Sequence, residues 1–265
     1  MSTFALPLRR QRAADLLARR RSRLEQLRIE LPGDAATTLH VARYDLEAFR
    51  LRVVRLPEVA PLVRFCRQQE ISDAVVGGFF IRSRSEPLGA LQMAGVPQPS
   101  TPFDSPWDKV RACLHIDGSG LRIACRDQLP AHCDGDLLQA GPMLVRGGRN
   151  LIRQGEDREG FSAGARQFDS DITAGRYPRA ALGLAGDRLL TVACDGRTPH
   201  DAGMTLGELA RTMIGLGASE AINLDGGGSA SLIYAGHLRN RPREEHGIDL
   251  LEGRPILTAV AIEPR

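Results

Sequence analysis

The run Ala221-Ile222-Asn223-Leu224-Asp225-Gly226-Gly227-Gly228-Ser229 holds the residues best suited to chemistry in this chain. An apolar, strand-like stretch ends in a carboxylate. Three glycines and a hydroxyl follow, then a second strand-like stretch, Ala230 to Tyr234. Glycine loses the most backbone entropy on folding, so three in a row mark a sharp turn or a close backbone approach. A carboxylate beside exposed N–H groups suits a charged, oxygen-rich substrate. The plainer reading is a hairpin turn at Asp225-Gly226, for which one glycine would suffice. A Walker-type phosphate loop is excluded: there is no Gly-Lys-Ser/Thr, and Lys109 is the only lysine.

The surrounding elements must position this run. Thr205 to Leu216 reads as the clearest helix, with Thr205 as cap, Glu208 at the capping-box position and Gly217 as stop. Arg179 to Cys194 reads as a hairpin across Ala185-Gly186-Asp187, and Arg111 to Ala124 as two strands around Asp117-Gly118. Ser72 to Phe80 gives a buried strand running into Gly77-Gly78. Strand-like stretches 39–44 and 49–54 suggest a hairpin, Pro57 to Gln69 a helix, and Ile256 to Ile262 a last strand. Residues 8–30 place Leu16, Leu17, Leu24 and Leu27 at helical spacing among arginines. They read as a basic amphipathic helix, either an arm for an anionic partner or a helix packed by its leucines. Residues 153–178 are polar and without clear period, as in a lid or a mobile stretch. The expected fold class is α/β of the α+β type: a mixed β-sheet core with flanking helices, plus the N-terminal basic helix. The expected division is a helical extension over 1–37 and a domain over 38–265.

Composition bounds the function. The chain has 265 residues, 42% hydrophobic and 25% charged, with a formal net charge of +3. That balance is globular, and the charge is too small to argue for nucleic acid. No stretch approaches the roughly 18 apolar residues of a membrane helix. All but one of the 35 basic residues are arginine, a skew that fits a GC-rich bacterial genome. Cys66, Cys113, Cys125, Cys133 and Cys194 form no Cys-x-x-Cys pair and read as reduced thiols. With no secretory signal in the first 30 residues, a cytoplasmic protein is expected. His132-Cys133 near Cys125 fits no common zinc spacing. Asp169-Ser170-Asp171 and Asp134-Gly135-Asp136 lack a cation loop's spacing. No metal and no cofactor are expected, and oligomeric state is left open, a homo-oligomer included.

Several segments in order resemble the phosphodiester glycosidase family. They are Val76-Gly77-Gly78-Phe79-Phe80, Ala140 to Val145, Pro178 to Gly183, Val192-Ala193-Cys194-Asp195-Gly196-Arg197, Gly203-Met204-Thr205-Leu206 with its helix, Asn223 to Ser229, and Arg254-Pro255. The likeness spans roughly residues 39–263, and Asn-Leu-Asp-Gly-Gly-Gly-Ser after a helix is its most specific part. The resemblance implies a mixed α/β domain and hydrolysis of a sugar from a phosphodiester at C1–O.

Breaking that bond builds oxocarbenium character on the sugar, which a carboxylate stabilises or attacks. Asp225 is the first candidate and Asp195 the second; Asp195-Gly196 also reads as an ordinary turn. The leaving phosphate monoester has a second pKa near 6, so charge stabilisation matters more than a strong acid. Arg179, Arg197 and Arg254 are the candidate anion contacts, each inside a resembling segment. Gly226, Gly227 and Gly228 would present N–H groups, and Asn223 and Ser229 would bond sugar hydroxyls or brace the loop. Gly77 and Gly78 would line another wall or pack the core. His200 is a loop histidine with a weak claim to acid catalysis. The expected ligand is a small sugar phosphodiester or nucleotide-linked sugar. The alternatives are a metal-dependent phosphodiesterase breaking P–O, or a non-catalytic sugar-phosphate binder.

Overall fold

The computed structural model describes residues 20–153, 155–161 and 175–265. In chain order the first strands are β1 (Ser22–Leu31), β2 (Ala35–Asp45), β3 (Phe49–Pro61), β4 (Ala74–Val76), β5 (Phe80–Ile81) and β6 (Glu86–Pro87). Next come β7 (Leu91–Met93), β8 (Val96–Pro97), β9 (Ala112–Asp117), β10 (Gly120–Cys125), β11 (Asp136–Gln139), β12 (Met143–Arg146) and β13 (Arg149–Asn150). The last are β14 (Arg179–Ala185), β15 (Arg188–Cys194), β16 (Glu220–Asn223), β17 (Leu232–Tyr234), β18 (His237–Leu238) and β19 (Pro255–Pro264). Three α-helices are described: α1 (Leu62–Gln68), α2 (Trp107–Val110) and α3 (Leu206–Gly215).

The strands build a seven-stranded sheet, β1-β2-β15-β14-β16-β12-β13, and two five-stranded sheets, β10-β9-β11-β7-β8 and β18-β17-β4-β19-β3. Every pairing between these strands is antiparallel. The mixed sheet expected from sequence is therefore corrected: the fold is mostly antiparallel β, because short turns link many of the strands and helices are few.

Strand periodicity explains the layering. Leu190, Val192 and Cys194 of β15 face one way and pack with Leu206, Leu209, Ala210 and Met213 of the α3 region. Leu189 and Ala193 face the other way, into the core shared with β3, β4 and β19. The helix keeps its predicted capping box. Glu208 N–H donates to Thr205 Oγ1 at 3.2 Å, and Thr205 N–H donates to Glu208 Oε2 at 2.9 Å.

Two expected elements, a helix and a hairpin, differ in the structure for a physical reason. The basic helix over 8–30 does not form at its C-terminal end: Ser22–Leu31 is edge strand β1, registered on β2 from Ser22↔Tyr44 to Leu31↔Ala35. Leu27, Ile29 and Leu31 alternate inward with Arg28 and Glu30 outward, a period of two that outweighs the helical leucine spacing. Residues 8–19 lie outside the described residues. The expected boundary at 37/38 falls inside β2. The stretches 39–44 and 49–54 do not pair with each other either. β2 joins β1 and β15, whereas β3 joins β19 in another sheet.

Candidate active site

β16 is held in the seven-stranded sheet between β14 and β12, with Ala181 opposite Asn223 and Met143 opposite Ile222. The chain then leaves that sheet. Leu224 N–H still reaches Ala180 O at 2.9 Å, but Asp225 N–H turns to Gly77 O at 3.0 Å, just beyond β4. A single 3₁₀ turn over Gly227–Ser229 follows, and the chain enters β17, which pairs with β4. The Asp-Gly-Gly-Gly run is thus a crossover between two sheets and not a hairpin turn.

Protein atoms crowd two of the three glycines, and backbone conformation favours the third. A Cβ on Gly226 would lie 2.9 Å from Pro178 O, and one on Gly228 would lie 3.0 Å from Glu244 Oε1. Gly227 has φ +59°, in the left-handed region. Two of their N–H groups are already spent, Gly226 on Asp225 Oδ1 at 2.8 Å and Gly227 on Pro178 O at 2.8 Å. Gly77, whose carbonyl takes the Asp225 N–H, and Gly78 are tightly packed on their other neighbours. Their Cβ atoms would lie 2.6 Å from Thr258 Oγ1 and 2.9 Å from Gln139 O.

Asp225 is left lightly held. Burial raises its pKa above the ordinary carboxylate value, against the lowering pull of the Ser229 hydroxyl, Gly226 N–H, Arg254 and Arg82. Ser229 Oγ is buried and close enough to favour the carboxylate, yet makes no hydrogen bond of ordinary geometry. Asn223 is clamped by its amide nitrogen, which donates to Gly141 O at 2.9 Å and Leu224 O at 2.8 Å. Those bonds fix the amide orientation and leave Oδ1 buried without a partner. Unpaired buried oxygens are costly, and such groups concentrate where a ligand or water completes them.

A charged cluster encloses the glycine run. Arg254 forms a two-pronged pair with Glu244, Nε to Oε1 at 2.6 Å and Nη2 to Oε2. That pairing holds Glu244 below its usual pKa. Arg254 N–H also caps Gly228 O at 2.9 Å. Arg197 donates to Arg243 O at 2.9 Å, and its Nη1 lies 3.5 Å from Glu244 Oε2. Burial lowers the Arg197 pKa. Arg197 sits at φ +66°, an uncommon conformation for a residue with a side chain. The exposed Arg82 acts on both Asp225 and Glu244.

The remaining candidates are committed elsewhere. Asp195 is 3% exposed; its Oδ1 accepts from Arg241 N–H at 2.6 Å and its Oδ2 lies 3.4 Å from His40 Nε2. Arg179 is buried, bonds Met204 O at 3.0 Å and stacks on Tyr177. His200 is exposed, and Thr205 is the helix cap. The Asp136 carboxylate accepts from Val53 and Ala94 N–H groups. Cys113 and Cys133 share a small apolar cluster, and all five cysteines are free. Asp169-Ser170-Asp171 lies outside the described residues. Among the described residues no three His, Cys, Asp or Glu side chains gather as a metal site. Sequence reasoning missed Arg82 and Glu244. Arg82 directly follows the Gly-Gly-Phe-Phe-Ile stretch, which offered a signal; Glu244, beside Glu245, offered none.

A family model for phosphodiester glycosidases matches residues 70–263, which include Gly77, Arg82, Asp225, Glu244 and Arg254. The chain belongs to the phosphodiester glycosidase family. No curated protein sequence matches the chain. Among solved structures, a hypothetical protein from Synechocystis superposes with a TM-score of 0.69 at 18% identity. It covers 93% of this chain, which spans only 62% of that protein's chain. The zebrafish N-acetylglucosamine-1-phosphodiester alpha-N-acetylglucosaminidase catalytic domain, auto-inhibited by its pro-peptide, gives 0.69 at 20% identity, covering 92% of this chain and 83% of its own. A Burkholderia pseudomallei protein described as exported gives 0.63 at 17% identity, covering 89% and 75%. At these identities the likenesses establish the shared fold alone.

Proposed function

We propose that the Asp225 centre hydrolyses the C1–O bond of a sugar phosphodiester or a nucleotide-linked sugar. Water oxygen adds to C1, and the phosphate monoester leaves with the bridging oxygen. One observation carries the reading: Asp225 is a carboxylate with few partners, beside the buried Ser229 hydroxyl that favours its charged form and a buried Asn223 Oδ1 that has no partner, in the field of Arg82 and Arg254. Such a carboxylate is free to face an oxocarbenium-like sugar, while Asn223 Oδ1 and Ser229 Oγ meet its hydroxyls. The arginines offset the charge gathering on the departing phosphate. Asp195, with both oxygens occupied, braces the neighbouring loop. The similarity to the zebrafish N-acetylglucosamine-1-phosphodiester enzyme supports a sugar-1-phosphodiester as the substrate class.

The test is hydrolysis of a panel of nucleotide sugars and sugar phosphodiesters in ¹⁸O water, read by mass spectrometry. Label in the free sugar is the expected outcome. Label in phosphate, with a sugar phosphate released, would mean P–O cleavage and overturn the reading. No turnover across the panel would favour a sugar-phosphate-binding role.

A further inference from the structure

Glu159 is a second buried carboxyl, outside the Asp225 cluster. It lies in the described segment before residue 162 and reaches between two sheets. Its Oε1 accepts from Met143 N–H at 2.6 Å, at the start of β12, and its Oε2 accepts from Ala112 N–H at 2.8 Å, at the start of β9. Its main chain is pinned too: Arg111 donates to Glu159 O and Gly160 O, both at 2.9 Å, with its guanidinium between Phe103 and Phe161. The carboxyl is packed directly on Gly141, where a Cβ would lie 2.7 Å from Oε2.

The Gly141-Pro142 pair in turn is tied to Asn223 three times over. Gly141 N–H donates to Asn223 O at 3.0 Å, Asn223 N–H donates to Pro142 O at 3.0 Å, and the Asn223 amide donates to Gly141 O at 2.9 Å. We infer that Glu159 is a positioning residue for the Asp225 centre, holding the Gly141-Pro142-Met143 turn and through it the Asn223 amide. The carboxylate form accepts from both main-chain donors at full strength; protonation makes one oxygen a hydroxyl, a weaker acceptor, and loosens that bond.

The setting makes this contact proton-sensitive near neutrality. Burial lifts the Glu159 pKa to about 7, although Met143 and Ala112 N–H groups and Arg111 pull it down and Asp157 pushes it up. The other groups in its field are the Cys113 and Cys125 thiols. A phosphodiester does not titrate in this range, so a limb near pH 7 would belong to the protein.

The chain carries its own reporter. Trp107 is the only tryptophan, and its ring lies against Gly160, where a Cβ would come within 2.2 Å. The experiment follows Trp107 emission and the Asn223 side-chain amide resonance between pH 5 and 9, in wild type and in Glu159→Gln. Expected in wild type are coincident midpoints near 7, and in Glu159→Gln neither transition. An Asn223 amide that stays flat while Trp107 titrates overturns the coupling. Transitions that persist in Glu159→Gln, or that are absent from wild type, overturn the assignment to Glu159. With a substrate found by the isotope experiment, Glu159→Gln should lower kcat by roughly 10-fold to 100-fold, the cost of a small misplacement. KM should change little, and the limb near pH 7 should vanish. Wild-type kcat with an unchanged pH profile would overturn the positioning role. The turnover arm rests on the proposed function; the two spectroscopic arms use no substrate, so their failure and the failure of that function are separable.

Discussion

Asp195 and Asp225 make an instructive pair. Each is an Asp-Gly just beyond the end of a strand in the seven-stranded sheet, β15 for one and β16 for the other. Around Asp195 every polar atom is taken. Its N–H bonds Thr38 O, its carbonyl accepts from Thr37 Oγ1 at 2.7 Å, and its carboxylate is shared between Arg241 N–H and His40. Asp225 holds Gly77 by its N–H, but its carboxylate accepts only the N–H of its own neighbour within ordinary hydrogen-bond geometry. The same two letters give a fully bonded carboxylate in one place and a sparsely bonded one in the other. What separates them is the partner that tertiary structure brings: β2 and the Arg241 loop for Asp195, a glycine run with Arg82 and Arg254 for Asp225.

The largest expected effect breaks that contrast directly. Asp225→Asn should cut kcat by at least about 10³-fold, the order a reacting carboxylate supplies. Its circular dichroism and Tm should match wild type, since it removes a carboxylate that burial disfavours. Near-normal turnover in steady-state assays would remove Asp225 from the mechanism. Asp195→Ala should do the reverse. It removes the acceptor of the part-buried Arg241 N–H and the contact with buried His40, at a cost of about 1 kcal/mol, seen as a Tm lower by a few degrees. The folded fraction should keep kcat within about threefold, as a bracing group outside the reacting set implies. Abolished turnover at unchanged Tm would make the two aspartates partners in catalysis.

A smaller effect tests the electrostatics on the Asp225 side alone. Arg82 lowers the Asp225 pKa, so Arg82→Ala should move the acid limb of kcat/KM to higher pH. Because Arg82 is exposed, the shift should shrink as salt is raised through the range where the Debye length falls below about 10 Å. A limb that does not move at low ionic strength would detach Arg82 from the centre.

The smallest effect is on stability against pH. Burial raises the folded pKa of Glu159 from an ordinary 4.5 to about 7. Its contribution is therefore full below the unfolded value and lost as pH rises through about 7. Asp201, Glu208 and Glu244 are depressed, so theirs is present above the ordinary carboxylate range and lost as pH falls through their lowered values. Thermal melts should show Tm declining gently from pH 5 to 8 in wild type and less so in Glu159→Gln. An equal decline in both would assign the slope to other groups.

Much of the machinery was legible one element at a time. The Thr205–Glu208 capping box, the 179–194 hairpin and the exit of an apolar strand at Asp225 are local facts, because i, i+2 and i, i+3 contacts are set by neighbours in the chain. Local signals also misled. The leucines near residue 24 suited a helix, yet Ser22–Leu31 finds ten paired residues on β2, and a ladder outweighs a spacing. The sequence by itself determined that a carboxylate, three glycines and a hydroxyl would stand together at a strand end. Only the tertiary structure decided that Gly226 and Gly228 yield to Pro178 and Glu244, that Arg179 serves main-chain carbonyls, and that Arg82 reaches Asp225. The physical reason is range: those decisions depend on groups tens to more than a hundred residues away, and on burial, neither of which a local pattern encodes.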